Sequence, residues 1–249
     1  MNYFNRSVAL SILLVFGGTL SIAADLPAKA TTRKAGDAAV TAAALLKASG
    51  LTPSQLLGGT NTGLSAMLDF AAAELAKPGA VQVPTPPSMA KIVSLAKKLN
   101  QTGALDSFKA SLNAAAASVM PQTTAVLKES LAGITLDDAM TLTSGAPDSA
   151  TRLLRKAAEP ALRARVMPLI AQAIAVNGTA AKAKDLAVKA GPMAAMLGVP
   201  NAEALESFLF SQVLDTSFSY IAKGEAAVRA NPALLKNTIA ATVFSFARK

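Results

Sequence analysis

Asp148, Ser149, Thr151, Arg152, Arg155 and Lys156 crowd into one stretch, SGAPDSATRLLRK (144–156). The Gly-Ala-Pro turn followed by Asp-Ser-Ala-Thr reads as a helix start. Asp148 is placed to accept from free N–H groups of the first turn. Arg152, Arg155, Lys156 and Glu159 then share one face by i+3 and i+4 spacing. The bland reading is a capped helix with a solvated basic face. The sharper one is an anion site, in which free N–H groups and guanidinium forks hold a phosphate or carboxylate. Asp148 argues against the second, because it already puts a carboxylate at the positive end. A bridge from Asp148 to a distant arginine such as Arg229 fits equally well.

Other chemistries are restricted by composition. The chain has no His and no Cys. That removes the usual general base, the Ser-His-Asp triad, imidazole and thiolate metal sites, and disulfides. Its 15 acidic residues are scattered. The closest groups, Asp137-Asp138 and Glu203/Glu206, suit helix N-termini better than catalysis. LLGGTNTG (56–63) lacks the Lys-Ser/Thr of a phosphate loop. No catalytic residue, metal or cofactor is expected, and the protein is read as a non-enzyme.

The N-terminus, MNYFNRSVALSILLVFGGTLSIAAD, has the three parts of a secretory signal. Arg6 supplies positive charge, Val8 to Phe16 the apolar run, and Ser21-Ile22-Ala23 the small-residue cleavage triplet. Cleavage is expected after Ala23, with Ala24 as the alternative. The apolar run is too short and glycine-interrupted for a membrane anchor. The expected organisation is a signal peptide over 1–23, a loosely ordered mature N-terminus over 24–44, and one domain over 45–249. The expected location is the periplasm or the exterior. Net charge is +9 for the whole chain. In an exported protein this points to an anionic envelope component rather than to nucleic acid.

The elements that must position these residues are all helical. Alanine dominates, aromatics are only 4 %, and no stretch of the mature chain alternates with period two. The fold expected is a compact all-α multi-helix bundle. A short helix ends at Gly50, and Thr52 or Ser54 starts the next, which stops at Lys77-Pro78-Gly79. Residues 81–88 are extended, because each proline disfavours the helical region for its predecessor. Ser88 is the expected cap of 89–99, Asp106 opens the next helix, and Pro121 either kinks it or starts another. Thr135 caps a short helix to Leu142, Asp148 the quoted one, and Pro160 opens a further helix ending at Asn177-Gly178. Asn201 caps a long helix to about Lys223, and Asn231-Pro232 opens the last.

That long helix carries Leu205, Phe208, Leu209, Leu214, Phe218 and Ile221 on a wide apolar face. Ser207, Ser211, Asp215 and Ser219 form a narrow polar row. Either Asp215 is a buried capping or salt-bridge partner within the bundle, the reading preferred, or the row lines a groove walled by Phe208 and Phe218.

Three segments, VQVPTPPSMAKI (81–92), DSATRLLRKAAEPALRARVMPLI (148–170) and VLDTSFSYIAKGEAAVRANPALL (213–235), occur in an informative order. Together they resemble the exported bacterial domain-of-unknown-function family numbered 4197, from about Leu45 to the C-terminus. The resemblance implies a helical secreted or periplasmic protein and carries no activity. Its polar motif positions fall on Asp148, Thr151, Arg155, Asp215 and Arg229. Two functional expectations follow. One is a module that binds an apolar or lipid-like ligand between helices. The other is an interaction protein docking a basic surface on an acidic envelope partner.

Overall fold

The computed structural model describes residues 44 and 46–246; the cleavage residues Ala23 and Ala24 and the rest of the N-terminal segment lie outside them. Among the described residues there is no strand. After helical residues at 44 and 46–49 come α1 (Pro53–Leu75), α2 (Ala90–Lys98), α3 (Thr102–Glu129), α4 (Leu136–Ser144) and α5 (Ser149–Val176). They are followed by α6 (Thr179–Lys189), α7 (Pro192–Met196), α8 (Ala202–Ala230) and α9 (Thr238–Phe246). The described residues fall in one compact unit.

Local chemistry explains most of the starts. Thr52 and Thr135 each form a capping box, with Gln55 and Asp138 reaching back to the cap N–H. Asn201 accepts from the Ala204 N–H at 2.8 Å. Four expected boundaries are corrected. Ser88 caps nothing, since Pro87–Met89 form a 3-10 turn leading into α2. The helix expected from Asp106 begins at Thr102. Asn231-Pro232 opens only a 3-10 turn, and Asn237 caps α9 by accepting from the Ala240 N–H at 2.9 Å. The long helix runs on to Ala230 rather than ending near Lys223.

Pro160 does not open a helix; it and Pro168 lie inside α5, as Pro121 lies inside α3. Each proline removes the donor to the carbonyl four residues back. All three prolines are exposed, as are Lys156, Ala164 and Ala117, whose carbonyls lose that donor. Water can hydrate those carbonyls, while packing of the opposite face keeps the helix continuous through the prolines. On α5 that face is an unbroken i+4 ridge of Leu154, Ala158, Leu162, Val166, Ile170 and Ile174, all buried. Tertiary packing outweighs the local propensity here.

α5 packs on α3 and on α8, and α8 also packs on α1. The wide apolar face of α8 therefore serves two neighbours. α1 in turn receives α9. Gly59 and Gly63, one turn apart in LLGGTNTG, make that approach possible. A Cβ on Gly63 would sit inside the Phe244 ring, and one on Gly59 would meet Val243 and Ile239. The glycines are a helix-packing device. The segment after α1 is pinned to α3: Val81 and Val83 are buried, and the Val83 N–H donates to Asn113 Oδ1 at 2.7 Å.

Candidate functional site

The start of α5 binds an anion, and the anion is internal. Glu225 on α8 is buried, and its carboxylate accepts from the Ala150 N–H at 3.0 Å, the Thr151 N–H at 2.8 Å and the Thr151 hydroxyl at 2.6 Å. The Ser149 N–H donates to the Ala146 carbonyl and the Arg152 N–H to the Asp148 carbonyl. The Ser149, Ala150 and Thr151 N–H groups, which have no acceptor within the helix, are thus all engaged by the protein. Arg229, one turn after Glu225, donates from Nε and an NH2 group to Glu225 Oε1 at 2.9 and 2.8 Å. The same NH2 group donates to Ser149 Oγ at 2.8 Å, and the Ser149 hydroxyl donates to the Leu142 carbonyl. Ionic pair, helix N-terminus and the Thr151 hydroxyl together satisfy a carboxylate that burial alone would penalise.

Asp148 is accordingly not a side-chain cap and does not reach Arg229. Its carboxylate pairs with Arg152 on the surface at 3.0 Å. Arg155 bridges to Asp215 at 2.9 Å, and its guanidinium lies 5.3 Å from the centroid of the Phe218 ring. Asp215 is a salt-bridge partner as preferred, but both side chains of this pair are exposed, and the serine row beside it faces solvent. Arg165 on α5 pairs with Glu129 at the end of α3, and this hydrogen bond holds the Glu129 carboxyl below its ordinary range. Glu225 was not singled out from the sequence. The usable signal was a first turn of α5 with no acidic residue of its own.

Asp148→Ala should therefore cost less than about 0.5 kcal/mol, well short of a lost N-cap. Arg155→Ala, which loses an exposed pair and a cation–π contact, should cost up to about 1 kcal/mol. Phosphate at matched ionic strength should leave the melting temperature unchanged. A phosphate-dependent rise that disappears in the Arg152→Ala/Arg155→Ala double variant would restore the external anion site.

Phe218 is buried and Phe208 half-buried against the core. Neither lines the cleft between α1 and α3. That cleft, of about 790 Å³, lies between the end of α1, the connection 76–82 and the outer face of α3. Ala72, Leu75 and Ala76 face Ala114, Ala117 and Pro121 across it. Small side chains on both helices leave the furrow open. Its polar side chains are Lys77, Gln82, Asn113 and Thr124. Asn113 holds Val83 through Oδ1, while Pro121 takes the helical donor away from the Ala117 carbonyl. Lys77 at the edge pairs with Glu74 and is largely exposed.

The family model described as a protein of unknown function, DUF4197, matches residues 52–245. The chain belongs to that family. The DUF4197 match begins at the Thr52 cap of α1 and ends within α9, so it spans the helical assembly described above. Of the residues on which the resemblance rests, Thr151 and Arg229 meet at Glu225 and Arg155 meets Asp215 across α5 and α8, while Asp148 pairs with Arg152 at the start of α5. In this chain the contacts at Glu225 and Asp215 cross-link the two helices. No curated protein and no solved structure matches the chain.

Proposed function

We propose that this protein is an exported, non-catalytic binding module for an apolar or lipid-like ligand, held in the cleft between α1, residues 76–82 and α3. The observation that carries the reading is the cleft itself. Its 790 Å³ falls within the range of small-molecule sites, and its lining is mostly Ala, Leu, Val, Met and Pro with a few polar groups. Asn113 and the Ala117 carbonyl offer one donor group and one acceptor to orient a polar head, and Lys77 gives the edge a positive charge. The signal-like N-terminus supports export, and the lack of His and Cys supports a non-catalytic role.

A fluorescent fatty-acid probe tests the site. Saturable binding is expected, and Ala117→Phe, which fills the furrow from an exposed helix position, should weaken it at least about tenfold, or about 1.4 kcal/mol. Phe208→Ala should leave probe affinity unchanged. Probe binding indifferent to Ala117→Phe, or no saturable binding, would refute the cleft as the site.

A further inference from the structure

Residues Ala190–Pro200, AGPMAAMLGVP, contain no polar or charged side chain, yet most of them lie on the surface. Gly191 at φ 93° and Gly198 at φ 73° bracket the five-residue α7 in backbone conformations that favour glycine. Only Ala194 of α7 is buried. Met193 is 70 % exposed, Met196 88 %, and Leu197 nearly half exposed. Val188 at the end of α6 and Leu99 after α2 are exposed as well. α7 packs on both α2 and α6, and the Leu99 side chain lies beside Gly191. Exposed apolar side chains at the ends of α2 and α6 and on α7 thus gather around one short turn.

Apolar side chains exposed in such a group mark an interaction surface rather than ordinary surface scatter. Charge identifies the partner. Lys97 and Lys98 immediately precede Leu99, and Lys189 follows Val188. No Asp or Glu occurs between residues 75 and 105 or between 186 and 202. Lys97 and Lys98 have no carboxylate partner among the described residues, while Lys189 pairs with Asp185. An exposed apolar cluster with lysines beside it, whose one nearby acidic residue, Asp185, is paired with Lys189, has the chemistry of an interfacial anchor. The geometry points to α7 as a docking element for an anionic lipid bilayer. Met193, Met196 and Leu197 enter the headgroup boundary, and Lys97 and Lys98 face the lipid phosphates. Among the described residues no helix is long and apolar enough to span a membrane, so this contact is peripheral. The inference is independent of the cleft and its occupant.

The chain lacks Trp, so Met196→Trp in the full-length protein gives a single reporter on the cluster. Vesicles of mixed phosphatidylglycerol and phosphatidylcholine should shift its emission to the blue, and brominated acyl chains should quench it. Lys97→Glu/Lys98→Glu in the same background should weaken this partition at least about tenfold, as expected for the reversal of two basic side chains near an anionic surface. An unshifted emission, or a shift equal on pure phosphatidylcholine and indifferent to the lysine reversal, would overturn the inference. So would a blue shift that appears without vesicles as protein concentration rises, because a second copy would then cover the cluster.

Discussion

Glu225→Ala should destabilise the fold by about 3–5 kcal/mol, the scale for removing one partner of a buried ion pair. The substitution leaves Arg229 buried beside Ser149 without its carboxylate, and it strips the Ala150 and Thr151 N–H groups of their acceptor. Domains of this kind are held by only about 5–15 kcal/mol, so the variant should melt far below the wild type. Two further variants separate the ion pair from the helix start. Glu225→Met/Arg229→Met removes both charges and should be less destabilised than the sum of the single variants. It should not return to wild-type stability, because the N–H groups of α5 remain unpaired. Equilibrium denaturation of the four proteins measures this. A cost for Glu225→Ala within about 1 kcal/mol would mean that the carboxylate does not hold α5.

The second large effect lies at the contact of α1 with α9. Helix propensity alone predicts that replacing a mid-helix glycine by alanine stabilises by roughly 0.5–1 kcal/mol. Gly58, which has nothing within reach of an added Cβ, should follow that rule. Gly63 should reverse it, because its Cβ would overlap the ring of fully buried Phe244. Overpacking of this kind costs about 1–3 kcal/mol, and the rigidity of an aromatic ring puts Gly63→Ala at the upper end. Phe244→Ala should lose about 3–5 kcal/mol by leaving a cavity. Combining Gly63→Ala with Phe244→Leu should cost less than the two changes separately. Thermal melts that show Gly58→Ala and Gly63→Ala stabilising alike would place α9 away from α1.

These two sites also show where sequence reading works and where it stops. Thr52, Thr135 and Asn201 were legible as caps because capping is local, decided within four residues. The all-helical class was legible because alanine-rich segments without period-two alternation leave little alternative. Glu225 was not, since EAAVR reads as an ordinary i,i+4 surface pair, and only the packing of α8 on α5 turns it inward. Pro160 misled for the same reason: the buried ridge Leu154–Ile174 runs past it, and a single local breaker does not outweigh a ridge of that length. Arg155 and Asp215 were each singled out, but their meeting depends on two helices sixty residues apart in sequence. The cleft was the least visible feature. The alanines on its two helical walls signal helix formation in a sequence and say nothing of the space left between helices.

Native mass spectrometry of the protein recovered from its own cells tests the proposed function most directly. The wild type should carry an additional mass corresponding to one apolar or lipid-like molecule, on a polypeptide that begins at Ala24 or within a residue of it. Ala117→Phe, equally folded by circular dichroism, should arrive without that molecule. A wild-type protein of clean polypeptide mass, or an Ala117→Phe variant that retains the same ligand, would contradict an apolar binding site in the α1–α3 cleft.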